Sequence, residues 1–431
     1  MSTTPGSQRH RAVRLSGLLR GSVTDSGGEA IGRLSDVIVR LRGADYPVVT
    51  GLVVAVGGRP VFVPVEQVAV LATLRLTSAR LSLLPFERRE GEVLLRADVL
   101  GHRLIDVESA HLIRAADLEL AAEGGEWTVT GVDSHRRSRR LLWGLTGTPA
   151  EEAGVRFREW AKFEPLIGHS GTALSRRQVG RIRRLKPAQI ADLLEAASSA
   201  EESEILGQVH ADPELEADVF EELEEDRASR LLGARTDEEA AQVLARMRAD
   251  DAADAIAELP QRRRQPVIDL LPPGQRAKVL TLMGFNPSSA GGLMGVDFIA
   301  IPATATVATA LTAVADAASL QPEALTSVHA LDARGRLCGV ARLVALVQAD
   351  PQAVLGEICD RDPVRVGADT DVVDVALLMS DYNLITIPVV DDRRKMLGVI
   401  TVDDVLEAAL PEDWRRREPA DPPAFGDDDQ E

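Results

Sequence analysis

The stretch from residue 384 to residue 404 constrains the fold of this 431-residue chain more than any other. An apolar run at residues 384–390 precedes a charged turn, and a second apolar run follows at residues 396–401. Short apolar runs bounded by turn residues predict buried strands, while Thr401 and Asp404 favour a helix start. The sequence therefore predicts a strand–turn–strand–helix unit here.

Thr401 and Asp404 have two interpretations. At a helix start, the Thr401 hydroxyl and the free backbone N–H groups can bind phosphate oxygens. Asp404, one turn further on, can accept hydrogen bonds from ribose hydroxyls. In the other interpretation Thr401 only caps the helix and Asp404 is solvated. The residues alone leave both open.

The segment from residue 354 to residue 412 resembles the second cystathionine-β-synthase (CBS) repeat of the MgtE magnesium channel family, and residues 325–341 resemble the first. The resemblance implies an adenine nucleotide, such as ATP, bound near Gly398, Thr401 and Asp404. In the first repeat the matching positions hold Arg342 and Ala345. Because the hydroxyl and the carboxylate are both missing there, we expect that nucleotide pocket to be degenerate.

Residues 174–285 have a helical pattern with an internal period. Met247, Leu259, Leu271 and Met283 recur every 12 residues. Units this short are unstable alone, so they predict stacked helices forming a superhelix. The segment resembles the N-terminal domain of MgtE. Beyond it we expect a CBS pair at 286–410, with repeats at about 294–350 and 354–410, and then a remnant of the MgtE plug helix with a disordered acidic tail at 411–431.

Four acidic residues suggest a cation site in the helical region. Spacings of three and four residues place one of the first two, together with the other two, along one helical face, where like charges repel. Mg²⁺ prefers such oxygen ligands and often keeps its waters. The predicted regulatory Mg²⁺ ligands are Asp250, Asp251, Asp254 and Glu258. A solvated acidic face is the alternative interpretation.

The first third of the chain predicts small β-barrels containing an internal repeat. Alternating apolar runs at 48–56 and 61–65 are typical of strands, and residues 33–37 align with residues 103–107. The pattern of residues 1–133 resembles tandem PRC-barrel units, which implies protein contacts. Residues 134–173, with a basic run and the aromatic residues Trp143, Trp160 and Phe163, are expected to be a linker or docking segment.

Charge and composition exclude several classes of protein. A net charge of −18 argues against nucleic-acid binding. The two cysteines, Cys338 and Cys359, lack the spacing of a redox or metal site, so we expect a reducing compartment. No secretory signal is expected. Residues 298–315 carry no charge, but four threonines and Pro302 favour a strand followed by a helix over a membrane span.

Together these patterns predict a multidomain α+β protein: small β-barrels, an all-α superhelix and an α/β CBS pair. We expect a cytoplasmic, non-enzymatic regulator that senses Mg²⁺, an adenine nucleotide or both. The resemblance implies a homodimer through the CBS pair. As a departure from that family we expect no MgtE pore domain, and we expect a separate membrane transporter or another protein to bind the PRC-barrel-like region. The alternative is a scaffold protein whose ligand sites have decayed.

Overall fold

The computed structural model describes residues 12–42, 45–78, 86–89, 91–123, 126–134, 157–166, 181–318 and 320–410. The chain divides into two compact units, Met1–Leu223 and Glu224–Glu431. The basic run after residue 134, Trp143 and the predicted plug-helix remnant and acidic tail lie outside the described residues.

The first unit begins with a β domain. Within the described residues, eleven strands form one curled sheet in the order β1-β11-β12-β4-β3-β2-β7-β6, with β13 beside β12, β5 beside β4 and β8 beside β3. A smaller sheet has the order β10-β9-β14. The strands are β1 (Val13–Arg14), β2 (Ser22–Thr24), β3 (Ala30–Arg42), β4 (Asp45–Val56), β5 (Arg59–Pro64), β6 (Val68–Val70), β7 (Arg75–Leu76), β8 (Glu92–Leu94), β9 (Arg103–Asp106), β10 (His111–Arg114), β11 (Asp117–Glu123), β12 (Glu126–Asp133), β13 (Arg158–Glu159) and β14 (Phe163–Pro165).

The β domain is internally duplicated, in a register that differs from the predicted one. In the first half Ser22 pairs with Arg33, and in the second half Arg103 pairs with Arg114. Arg33 is therefore equivalent to Arg114, and the predicted alignment of residues 33–37 with residues 103–107 is wrong. The motif Arg-Leu followed by Asp is short, and strand pairing rather than local identity decides which residues are equivalent.

The two halves of the β domain exchange their first elements. Strand β1 of the first half pairs with β11 of the second, while β8 of the second half pairs with β3 of the first. Each of these short strands leads into a helical turn, α1 (Leu15–Leu18) or the π-helical turn Leu95–Val99. Each half thus contributes its first strand to pairing with a strand of the other half.

The aromatic part of the predicted linker belongs to this domain. Strand β13 pairs with β12, and β14 pairs with β9. Trp160 and Phe163 are buried in the same apolar core as Leu15 and Leu104. Two large aromatic side chains gain more from burial than from exposure on a linker. Residues 157–166, which were predicted to belong to a linker at 134–173, are therefore part of the folded β domain.

Short helices of similar length follow: α2 (Pro187–Ala196), α3 (Ser199–Val209) and α4 (Pro213–Glu221) in the first unit, then α5 (Glu225–Gly233), α6 (Asp237–Leu244), α7 (Ala249–Glu258), α8 (Gln261–Leu270) and α9 (Pro273–Leu282) in the second. From α5 to α9 the helices begin every 12 residues, as the spacing predicts. Leu259 and Leu271, the C-cap residues that directly follow α7 and α8, are buried. Helix α5 packs on α7, α6 packs on α8, and α7 packs on α9. This packing stabilises helices that are too short to be stable alone.

Two strand–helix repeats complete the second unit. The first contains α10 (Ala290–Leu293), β15 (Ala300–Pro302), α11 (Val307–Asp316), β16 (Ser327–Leu331), β17 (Leu337–Arg342) and α12 (Leu343–Gln348). The second contains α13 (Leu355–Ile358), β18 (Val366–Gly367), α14 (Val372–Asp381), β19 (Thr386–Val390), β20 (Met396–Thr401) and α15 (Val402–Ala409). In each repeat a parallel strand pair is followed by an antiparallel one. The predicted mixed α+β class is confirmed.

The two repeats also exchange segments. Gly295 precedes the first repeat's sheet but exchanges backbone hydrogen bonds of 2.9 Å with Val399 of the second. Leu355 precedes the second sheet but packs into the core of the first repeat. The hydroxyls of Ser327 and Thr386 meet at 2.7 Å, joining β16 to β19. The predicted repeats at 294–350 and 354–410 are each continuous in sequence. In the fold, however, the segment that precedes each sheet packs on the other repeat.

Candidate ligand site between the helical domain and the second repeat

The start of α15 is closed by its own first residues. The backbone N–H of Thr401 donates to Oδ2 of Asp404 over 3.0 Å, and the Thr401 hydroxyl donates to the same oxygen over 2.6 Å. Thr401 is buried, with 2% of its surface exposed. Such a capping pair satisfies donors that a helix start leaves open. The capping part of the second interpretation is therefore in place, whereas its solvated Asp404 is wrong, since only 10% of that side chain is exposed. A nucleotide role for Thr401 and Asp404 stays a prediction.

Gly398, the third predicted nucleotide-binding residue, lies in β20 against the chain entering the first repeat. A Cβ atom at this position would stand 2.6 Å from the carbonyl oxygen of Gly295 and 2.8 Å from Cγ of Met294. Backbone packing therefore requires glycine here. A contact between Gly398 and a nucleotide also stays a prediction.

Arg248 immediately precedes α7 and reaches the first turn of α15. Its Nη1 lies 3.4 Å from Oδ1 of Asp404, and its Nε donates to Oδ2 of Asp251 over 2.6 Å. With its amide oxygen turned toward the guanidinium, Gln321 also accepts from Arg248. The side chains of Arg248 and Asp404 are only 25% and 10% exposed. These charge-assisted contacts are therefore partly shielded from water.

The sequence pattern does not single out Arg248, although one signal is present. Arg248 stands three residues before Asp251, a spacing at which opposite charges meet on a helix. Nothing in the local sequence indicates its contact with Asp404, which lies 156 residues away. That contact depends on how the start of α7 lies relative to the start of α15 in the fold.

Negative charges on three helices act on Asp254. The pKa of Asp254 is raised to about 7, first because the surrounding protein restricts hydration of its carboxylate and then because of neighbouring negative charges. These charges belong to α5, α7 and α15 and are carried by Glu225, Asp250, Glu258 and Glu407. The residue as a whole remains exposed, so water and ions can reach it.

Two further carboxyl groups near the contact have raised pKa values. Burial raises the pKa of Asp404 to about 6 against the lowering effect of the Thr401 hydrogen bonds, and the charge of Asp250 adds to the rise. Burial also raises the pKa of Asp250, to which the charge of Asp297 contributes. Added positive charge would therefore stabilise this junction.

The predicted cation ligands are only partly brought together. Asp250, Asp254 and Glu258 influence one another electrostatically, whereas Asp251 is turned toward Arg248. Among the described residues, no group of three or more acidic, histidine or cysteine side chains converges closely enough to hold a metal ion. The predicted ligand set stays a prediction.

Comparisons with known proteins cover this part of the chain. Residues 185–288 match the family model of the MgtE intracellular N domain, and residues 355–411 match that of the CBS domain. This region is homologous to the cytosolic domains of MgtE. The predicted recognition of an MgtE N domain followed by CBS structure is thus confirmed, while the PRC-barrel resemblance of the β domain stays a prediction.

Two curated relatives support the assignment of the MgtE-like module, defined as residues 185–411. The chain is 38% identical over 157 residues to the magnesium transporter MgtE of Thermus thermophilus, covering 36% of this chain and 35% of the relative. It is 28% identical over 133 residues to the magnesium transporter MgtE of Enterococcus faecalis, covering 31% and 29%. The chain spans about a third of the length of these relatives.

A solved structure resembles the module as well. The cytosolic domain of the Mg²⁺ channel MgtE in complex with ATP aligns with a TM-score of 0.50 and 28% identity, covering 55% of this chain and 94% of the other. The second unit thus contains the CBS pair that follows the MgtE N domain.

The first repeat of the MgtE-like module lacks the polar helix start of the second. Arg342 precedes α12 without a side-chain capping bond and is exposed. Ala345 stands where Asp404 stands in the second repeat. Thr401 and Asp404 therefore have no hydroxyl or carboxylate counterpart at the matching positions of the first repeat.

In the described parts of the chain, none of the helices combines the length and apolar character needed to cross a membrane.

Proposed function

We propose that this chain is a non-enzymatic, cytoplasmic regulator in magnesium homeostasis that responds to Mg²⁺ and to an adenine nucleotide through its MgtE-like module. The output is a rearrangement of the helical domain against the CBS pair, transmitted to a partner protein. The proposal is supported by the contact of Arg248 with Asp404, at 3.4 Å, and by the carboxylates of α5, α7 and α15 whose negative charges act on Asp254.

Repulsion between the carboxylates of α5, α7 and α15, the junction of the helical domain with the CBS pair, makes this arrangement sensitive to Mg²⁺. With the carboxylates ionised, α7 and α15 repel each other, and a hydrated Mg²⁺ between them would offset the repulsion. Because Mg²⁺ interacts with the closed arrangement more strongly than with the open one, it shifts the population toward closure. The ion pair between Lys278 and Asp297, with a distance of 2.6 Å, adds a second contact between the helical domain and the repeats.

The adenine nucleotide is assigned to the second repeat. Its support is the relative solved in complex with ATP and the presence of both a hydroxyl and a carboxylate at the start of α15. Gly398, Thr401 and Asp404 are the proposed contacts. Since Thr401 and Asp404 bond each other, the nucleotide must share or replace these bonds.

The proposed partners are a second copy of the chain and another protein. Large apolar side chains are exposed on α14 and at α15, with exposures of 60%, 57%, 51% and 40% for Val373, Leu377, Leu406 and Leu410. Contiguous exposed apolar surface is typical of interaction sites. We assign it to a homodimer contact through the CBS pair, and the β domain to contact with a separate membrane transporter.

A scaffold function without ligand sensing is the second candidate. It is favoured by the first repeat, in which Arg342 and Ala345 remove the hydroxyl and the carboxylate. It is also favoured by the Thr401–Asp404 bonds, which need no ligand.

Mg²⁺-dependent limited proteolysis and calorimetry with ATP and AMP separate the two functions. A regulator becomes more protease-resistant with Mg²⁺ and releases heat with a nucleotide. The double variant Asp254→Asn and Glu258→Gln should lose the Mg²⁺ protection, whereas Glu238→Gln, at an exposed position on α6, should keep it. No heat with either nucleotide and no Mg²⁺ protection in the unmodified chain would leave the scaffold function.

A further inference from the structure

Arg248 connects three parts of the second unit. It stands at the start of α7 and pairs there with Asp251. It also faces Gln321 in the first repeat and Asp404 in the second. A guanidinium is always charged at physiological pH and offers five donors in a planar fork. One side chain thus holds the helical domain to both repeats.

We infer that the positive charge of Arg248 forms a latch, the contact with Asp404 that holds α7 to the second repeat, and that Arg248 competes with the adenine nucleotide for Asp404. This inference rests on the nucleotide part of the proposed function. It adds a residue from outside the CBS pair that regulates the nucleotide site.

The competition follows from the occupancy of the Asp404 carboxylate. Oδ2 accepts both hydrogen bonds from Thr401, while Oδ1 faces Nη1 of Arg248. A ribose hydroxyl that binds Asp404 has to approach the oxygen facing Arg248 or displace Thr401. Displacing Thr401 opens the start of α15, so approach to Oδ1 is the less costly path.

The coupling has to be reciprocal. If nucleotide binding weakens the contact of Arg248 with Asp404, then that contact weakens nucleotide binding by the same factor. The latch is tethered to the chain, so unlike Mg²⁺ it does not depend on the concentration of a free ion. Nucleotide and Mg²⁺ would consequently act on the junction in opposite directions, the first releasing α7 and the second holding it.

The test compares the full chain with Arg248→Gln and with a matched control, Arg262→Gln, which removes an exposed arginine from α8. Titration calorimetry measures ATP and AMP affinity, and hydrogen–deuterium exchange follows peptides covering residues 249–258. We expect Arg248→Gln to bind both nucleotides about fivefold more tightly, the range for loss of one partly exposed ion pair. Its α7 amides should exchange faster, and Arg262→Gln should change neither.

The outcomes separate this inference from the proposed function. Unchanged or weaker nucleotide binding in Arg248→Gln overturns the competition, and weaker binding would make Arg248 a phosphate contact instead. If none of the three proteins binds a nucleotide, the nucleotide part of the proposed function fails, and the competition fails with it. Hydrogen–deuterium exchange then tests the latch by itself, since unchanged exchange of the α7 amides in Arg248→Gln overturns it.

Discussion

Asp36 and Asp117 occupy equivalent positions in the two halves of the β domain, and each binds the helical turn of the opposite half. Asp36 accepts from the backbone N–H of Arg96 over 2.7 Å, and Asp117 accepts from that of Ser16 over 3.0 Å. Each aspartate also accepts from the N–H of the residue after it, Val37 or Leu118. The exchange of elements between the halves is therefore secured by buried carboxylates on both sides.

Removing one of these carboxylates should destabilise the β domain. Asp117→Ala leaves the N–H groups of Ser16 and Leu118 without their acceptor, which costs about 2 kcal/mol for buried donors. Thermal unfolding of the full chain measures the change, with Glu29→Gln at an exposed turn position as the control. Equal stability of Asp117→Ala and the unmodified chain would contradict the capping role.

Adding a methyl group to Gly398 should loosen the second repeat. Its Cβ would stand 2.6 Å from the Gly295 carbonyl oxygen, so Gly398→Ala should destabilise by about 1–3 kcal/mol. Gly207→Ala is the matched control because its Cβ, on α3, meets nothing within 4 Å and should stabilise slightly. Urea unfolding followed by circular dichroism compares them. A neutral Gly398→Ala would mean that the Met294–Gly295 segment moves freely.

The carboxylate cluster should make stability and Mg²⁺ binding depend on pH. The folded-state pKa of Asp254, about 7, lies above the ordinary value of 3.8, so the folded state keeps a proton that the unfolded state has lost. The contribution of Asp254 to the free energy of unfolding therefore falls as pH rises from about 4 to 7. Because Asp254 is exposed, the fall should stay below about 1 kcal/mol.

Denaturation at pH 5 and pH 7.5 measures this dependence, which Asp254→Asn should reduce and Glu238→Gln should leave unchanged. Mg²⁺ binding should strengthen over the same interval, since the ion competes with the proton. An unaltered pH dependence in Asp254→Asn would exclude Asp254 as the titrating group.

The nucleotide contact should depend on Asp404 and not on its neighbour. Asp404→Ala removes a charged acceptor and should weaken ATP binding by about 1.5–3 kcal/mol. Asp403→Ala changes an exposed carboxylate one residue earlier and should leave the affinity unchanged. Titration calorimetry compares the two. Similar affinities for both variants would place the nucleotide elsewhere.

The exposed apolar residues of α14 should hold the homodimer together. Leu377→Asp introduces a charge at a side chain that is 57% exposed in the single chain. Burying that charge in an interface should weaken the dimer by at least about 2 kcal/mol. Sedimentation equilibrium measures the association, with Leu270→Asp on α8, 48% exposed, as the control. A monomeric unmodified chain, or equal effects of both variants, would contradict the assignment.

The spacing of apolar residues in the sequence predicted those helices and strands that depend on interactions between residues close together in the chain. The 12-residue spacing of Leu259 and Leu271 indicated the succession of short helices, because each period buries one apolar residue at a helix end. The apolar runs at 386–390 and 396–401 are strands, and Thr401 with Asp404 starts a helix. Both possible uses of that helix start were visible in the sequence, since a capping hydroxyl and a phosphate-binding hydroxyl need the same position.

Tertiary structure alone decided which distant groups meet. The contact of Arg248 with Asp404, the equivalence of Asp36 with Asp117 and the burial of Trp160 all join residues far apart in the chain. Such contacts depend on how helices and sheets pack, and hydrophobic patterning shows which face is buried without showing what covers it. The sequence by itself determined the kinds of element and their order. Packing determined that the carboxylate of Asp404, the proposed ribose contact, faces an arginine from another domain.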